Sequence, residues 1–226
     1  AAFGSSLWND VKVPPDLAFL GKEYVTPKEI KGDNLDLKKV AQYLEDGKIV
    51  AWYQGRSEFG PRALGNRSIL MSPKYKENKN ILNEKVKHRE EWRPFAGVIL
   101  KDHLQDYFEE GIESPYMLYS QTVKEDKRDK IPAITHVDNT CRIQTVTEEQ
   151  NPNYYNLIKG FYERTGVPII FNTSFNLGGE AIVETVYDAI DTCNRSMINH
   201  LYVPEDQEID IPWECVRDKT EYIESN

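Results

Sequence analysis

No run of apolar residues in this 226-residue chain is long enough to cross a bilayer, and no charged start followed by an apolar stretch suggests a signal peptide. Cysteine is scarce. Cys141, Cys193 and Cys215 are too far apart for a CxxC metal pair, and an odd number suits a disulfide framework poorly. A cytoplasmic setting is the reading that follows. The four histidines, His88, His103, His136 and His200, show neither HxxxH nor HExxH spacing, so no metal site is expected. There is no GxxxxGKS/T phosphate loop and no GxGxxG turn, which removes support for two common nucleotide-binding designs. Positive charge is in deficit too, at a net −9, so broad nucleic-acid binding is disfavoured. There is no initiating Met. The opening Ala1-Ala2-Phe3-Gly4-Ser5-Ser6-Leu7-Trp8 reads as cut from something longer.

What is present is an ordinary globular composition, 39% hydrophobic, 29% charged and 11% aromatic, long enough for one large or two small domains. Residues 1 to 33, with Pro14, Pro15 and Pro27, read as a short helix and a linker. Asn34 or Asp36 then caps a helix with Leu37, Val40, Ala41 and Leu44 at i, i+3, i+4 and i+7, ended by Gly47. The apolar run Ile49 to Tyr53 is a strand. It leads into a segment holding Arg56, Arg62 and Arg67 among Gly55, Gly60 and Gly65, with no helical period. Such a loop is an anion cradle, glycines bringing backbone close to a ligand and guanidinium forks matching oxygen pairs. Its other reading is a surface loop whose arginines pair with some of the chain's 37 acidic residues.

Ser68 to Met71 follows as a strand, and Ile81, Leu82 and Val86 mark a helix ending in the basic knot Lys85-Val86-Lys87-His88-Arg89. Val98 to Leu100 is another strand, and the charged segment Lys124 to Lys130 loops into solvent. From Cys141 to Val146 the residues alternate as in a strand, which fixes Arg142 on a sheet face. Tyr154, Leu157, Ile158 and Phe161 mark a helix stopped by Gly166. Val167 to Phe171 is a buried strand running into a second polar loop from Asn172 to Glu180, and Thr185 caps a last helix. In His136-Val137-Asp138 the groups suit a proton relay or a Mg²⁺ carboxylate, or else a turn in which Asp138 bonds its own backbone, the reading preferred here. Cys141 reads as core. Arg56, Arg62, Arg67, Lys87, Arg89, Arg93 and Arg142, if convergent, can hold several phosphates and stabilise a leaving pyrophosphate.

The run Gly55-Arg56-Ser57-Glu58-Phe59-Gly60-Pro61-Arg62-Ala63-Leu64-Gly65-Asn66-Arg67-Ser68-Ile69-Leu70 resembles the C-terminal domain of the large O-carbamoyltransferases that decorate nodulation factors and antibiotics. So do Trp92-Arg93-Pro94-Phe95-Ala96, Thr135 to Asp138 with Arg142 to Val146, and Asn172-Thr173-Ser174-Phe175-Asn176 with Gly179-Glu180. Four positions depart from the pattern: Asn139 for Gly, Cys141 for Ala, and Gly97 and Ala181 for Pro. The resemblance implies an α/β, YrdC/Sua5-like fold, an open twisted mixed sheet with helices packed on it. Residues 34–226 would form that domain, and 1–33 a linker and remnant of an N-terminal Kae1-like domain carrying its own metal. It further implies that ATP, with Mg²⁺, and carbamoyl phosphate meet here to give carbamoyl adenylate, which the Kae1-like partner uses on a hydroxyl acceptor. The KxR and SxN patterns of YrdC-like proteins fall on Lys87-His88-Arg89 and Ser174-Phe175-Asn176. Carried over, Lys87, Arg89, Arg142 and Ser174 are the catalytic set, and Arg56, Arg62, Arg67, Arg93, Thr173 and Asn176 bind substrate and nucleotide. A threonylcarbamoyl-adenylate-forming enzyme and a non-catalytic nucleotide-binding module are the alternatives.

Overall fold

The computed structural model describes residues 36–198 and 200–203, so the linker expected over 1–33 and the acidic tail beyond Val203 lie outside the described residues. Helix α1 (Leu37–Glu45) begins where Asp36 accepts the Lys39 N–H at 2.7 Å, and its apolar stripe of Val40, Ala41 and Leu44 is buried. Gly47, at φ +75°, turns the chain into β1 (Val50–Tyr53), whose four residues are all buried. Strand β2 (Arg67–Met71) returns antiparallel to β1 with Val50 opposite Leu70 and Tyr53 opposite Arg67.

Next comes α2 (Asn78–Leu82), which widens into a π-helical turn over Asn83–Lys87 and stops at His88, a left-handed residue with φ 44°. Strand β3 (Ala96–Leu100) leads through a 3-10 turn (Lys101–His103) to the short α3 (Leu104–Tyr107), and β4 (Ser120–Thr122) forms one edge. The charged segment expected to loop into solvent is a 3-10 helix, Glu125–Lys130, mostly exposed. Strand β5 (Thr140–Val146) precedes α4 (Pro152–Thr165), which Asn151 caps at the Tyr154 N–H and Gly166 ends at φ +70°. Strand β6 (Ile169–Ser174), α5 (Val186–Asn194) and β7 (His200–Tyr202) complete the described chain.

The sheet runs β4-β5-β3-β6-β2-β1-β7. Among the described strands only β3–β5 and β1–β7 pair in parallel, so it is the expected mixed, open sheet. Helices α1 and α4 pack on one another, closely enough that a Cβ on Gly160 would stand 3.7 Å from that of Ala41. Tyr154 of α4 meets Trp52 of β1, ring centroids 5.9 Å apart. Among the described residues no helix is long and apolar enough to cross a membrane. At α5 the Thr185 hydroxyl accepts from the Asp188 N–H while the Asp188 carboxylate accepts from that of Thr185, a reciprocal cap. Thr185→Ala is therefore expected to cost about 1 kcal/mol, read as a lower urea midpoint with an unchanged slope.

The β6 boundary differs from the sequence reading. Asn172, Thr173 and Ser174 belong to the strand, because they pair with Leu70, Ile69 and Ser68 of β2, and Asn172 also with Ala96 of β3. Polar identity made them read as loop. The ladder with β2, joined at Asn172 by the one with β3, keeps them extended. The turn at Asp138 is as expected, its carboxylate accepting from the Thr140 N–H at 3.0 Å and hydroxyl at 2.7 Å. Asn139 takes φ 64° in that turn, a conformation asparagine tolerates in place of glycine. Cys141 is buried core, and burial pushes its thiol up to about 12.

Candidate functional site

The site lies where β1 and β6 end and β2, β3 and β5 begin. Arg142 on β5 faces Ala96 on β3, and Ala96 faces Asn172 on β6, so three strands set one cross-sheet row. The arginine loop crosses this end of the sheet and owes its shape to Glu58. One carboxylate oxygen of Glu58 accepts the N–H groups of Leu64 (2.7 Å), Asn66 (2.8 Å) and Arg67 (3.2 Å). Burial raises the pKa of this carboxyl against the pull of those donors. Asn66 ties the loop further, its Oδ1 accepting from Gln54 at 2.9 Å and Asn151 at 3.2 Å. Gly65 is required here. It sits at φ +104°, and a Cβ would run into the Tyr154 ring.

Two hollows open beside one another and share Arg89 and Ser174. The larger, about 780 Å³, is lined by Lys87, Arg89, Arg93, Ser174, Asn176 and the Gly178-Gly179 bend, with Glu84 and Glu90 on its wall. The smaller, about 130 Å³, is lined by Arg62, Arg89, Arg142, Asn172, Thr173 and Ser174 among apolar residues, with no carboxylate among the described residues. No ion pair of the described residues reaches Arg62, Arg89 or Arg142. Burial first, and then Arg62, pushes the Arg142 pKa down; burial and Arg93, opposed by Glu90 and helped by a smaller part from Arg142, do the same for Arg89. Arg89 is held by the Asn83 amide oxygen at 2.7 Å and by the face of Phe95, 4.4 Å from the ring centroid. Arg93 is exposed and pairs with Glu90 at 2.8 Å.

Lys87, Ser174 and Asn176 are together, bonded to one another. The Lys87 ammonium lies within hydrogen-bond reach of the Ser174 carbonyl (2.6 Å) and hydroxyl (3.3 Å) and of the Asn176 carbonyl (2.9 Å) and side-chain oxygen (2.7 Å). Ser174 in turn donates to Asn176 Oδ1 at 2.7 Å. A Cβ on Gly178 would collide with the Lys87 carbonyl, so this bend docks backbone to backbone on the π-helical turn. Burial, then Arg89, pushes Lys87 down to about 7.

Two expected binding residues stand apart. Arg56 is exposed and lines neither hollow. Arg67 is fully buried and lines neither hollow: it donates to the carbonyls of Gln54, Gly55, Asn66 and Glu184 and stacks 3.6 Å over Tyr53, where it braces the loop. The sequence reading gave no role to Glu58, Asn83 or Asn172. Asn83 is wholly buried, and its Nδ2 lies within bonding reach of the Glu91 and Arg93 carbonyls, which shapes the loop carrying Arg89 and Arg93. A polar residue set between the apolar Leu82 and Val86 is the available signal.

Known proteins share this arrangement of sequence. Nodulation protein NolO of Bradyrhizobium diazoefficiens is 44% identical over 206 residues, covering 86% of this chain and 37% of that protein. The 3'-hydroxymethylcephem-O-carbamoyltransferase of Streptomyces clavuligerus is 36% identical over 196 residues, covering 87% of this chain and 36% of the other. The chain thus spans little more than a third of these relatives. In fold it resembles full-length HypF, crystallised in a phosphate- and nucleotide-bound form, with TM-score 0.51 at 18% identity over 80% of this chain and 22% of HypF. The expected YrdC-like α/β architecture is borne out. The family model described as carbamoyltransferase C-terminus matches residues 41–207, and the chain belongs to that family.

Proposed function

We propose that this chain activates carbamoyl phosphate with ATP, giving carbamoyl adenylate for a separate N-terminal Kae1-like domain to pass to a hydroxyl of a natural product or glycan. One observation carries the reading: three guanidiniums around a hollow of about 130 Å³ to which the described residues bring no carboxylate. Cations so placed repel one another, and a bound anion relieves that repulsion. Loss of phosphate to water turns carbamoyl phosphate into carbamate, whose oxygen attacks the α-phosphorus of ATP as pyrophosphate leaves. Both partners are anions, so the work is to hold them together against their repulsion. Arg62, Arg89 and Arg142 suit the small anion, and Arg89 and Arg93 with the glycine bend suit the nucleotide phosphates in the larger hollow. The Lys87–Ser174–Asn176 network positions that bend. Among the described residues no cluster of three or more His, Cys, Asp or Glu could hold a metal, so Mg²⁺ would travel on the nucleotide.

The test is pyrophosphate release from ATP and Mg²⁺ with carbamoyl phosphate, compared with bicarbonate plus threonine. Release with the first alone is expected. Release only with the second makes the chain a threonylcarbamoyl-adenylate-forming enzyme, and release with neither, beside tight ATP binding, makes it a binding module. Arg142→Ala is expected to weaken carbamoyl phosphate by roughly 1.5–3 kcal/mol, the range for hydrogen bonds to a charged group, measured by calorimetry. Unchanged affinity would remove Arg142 from the site.

A further inference from the structure

Asn172 brings a side-chain amide to the wall of the smaller hollow, beside its guanidiniums. Gln144 donates Nε2 to the Leu64 carbonyl at 3.0 Å, which leaves its Oε1 to face Asn172. Asn172 presents Nδ2 to that oxygen at 3.4 Å and to the Ala63 carbonyl at 3.0 Å. Turning either amide over would set oxygen against a carbonyl, so the arginine loop fixes both orientations. Among the described residues Asn172 Oδ1 is thereby left without a partner, on a side chain only 1% exposed that lines the hollow. Arg142 Nε, on a neighbouring wall, also has none.

Buried amide oxygens without donors are uncommon in native folds, and a bound ligand is one way to satisfy them. A ligand suiting this hollow brings negative charge to the guanidiniums and an N–H to Asn172. We infer that Asn172 determines specificity, accepting the amide N–H of a carbamoyl group and so separating carbamoyl phosphate from acyl phosphates of equal size and charge. This rests on the carbamoyl phosphate reading above. A site built to hydrogen-bond an N–H rejects the analogue lacking it far more strongly than an apolar pocket distinguishes two alkyl groups. In acetyl phosphate a methyl replaces the amine, and the Asn172 oxygen stays unmet.

Calorimetry on the whole 226-residue chain with fresh carbamoyl phosphate and with acetyl phosphate decides the matter. The wild type is expected to bind acetyl phosphate at least tenfold more weakly. In Asn172→Leu, carbamoyl phosphate should fall to the acetyl phosphate level while acetyl phosphate shifts less than threefold. Equal affinities in the wild type overturn the inference and leave the anion site standing, a comparison that does not depend on the variant folding. A wild type that binds neither overturns the carbamoyl phosphate reading, and this inference with it. A tenfold wild-type gap that survives in a folded Asn172→Leu chain assigns the selection to another residue and sinks the role given to Asn172.

Discussion

Arg67→Met should lower the stability of the chain by about 3 kcal/mol or more, seen as a large fall in the urea midpoint. Each hydrogen bond from a charged donor is worth about 1.5–3 kcal/mol, and Arg67 supplies several at once. Its Nη1 reaches the Gln54 carbonyl at 2.6 Å and Asn66 at 3.1 Å, and its Nη2 reaches Gly55 at 3.1 Å and Glu184 at 3.3 Å. Those carbonyls lie on both sides of the arginine loop and on the segment before α5, so one planar fork joins three pieces of chain. Arg67→Lys should recover little, because a point charge on a flexible stem cannot span the same fork. The contrary result is equally readable. Unchanged stability with lost affinity for carbamoyl phosphate would return Arg67 to the ligand set, where the sequence alone had put it.

That reversal shows where sequence reasoning stops. Arg62 and Arg67 stand five positions apart in one glycine-rich run and look alike as letters. Arg67 opens strand β2 opposite Tyr53 and is swallowed by the core, while Arg62 stays in the loop and lines the hollow. Burial is decided by partners distant in sequence, such as the Glu184 carbonyl, and no local pattern carries it. Where the determining contacts are local, the reading is sound: the spacing of Leu37, Val40, Ala41 and Leu44 gave α1, and the alternation from Cys141 gave β5. The end of β6 failed for the opposite reason. Asn172, Thr173 and Ser174 have polar side chains, yet ladders with β2 and, at Asn172, β3 hold them. The role of Asn172 was equally hidden, since it depends on how Gln144 and the Ala63 carbonyl fix one amide. Family resemblance supplied the convergence of Lys87 with Ser174 and Asn176, which spacing alone could not.

Lys87 should make the fold more stable as pH rises from about 7 towards 10. In the unfolded chain its amine keeps the ordinary value near 10.5, whereas burial and the Arg89 charge bring it to about 7 in the folded protein. Between those values the unfolded chain binds more protons, so stability climbs with pH; the cost of burying the charge is present below 7 and is relieved above it. One full proton corresponds to a slope of about 1.4 kcal/mol per pH unit. The oxygens around Nζ oppose this by favouring the ammonium, so about 1 kcal/mol per unit is the expected gain over Lys87→Met between pH 7.5 and 9.5. Urea titrations of both chains across that window measure it, with the variant removing every other titrating group from the difference. Parallel profiles would mean that the oxygen shell keeps Lys87 charged throughout. In that case the lysine adds a permanent cation beside Arg89, and the larger hollow draws phosphate at any physiological pH.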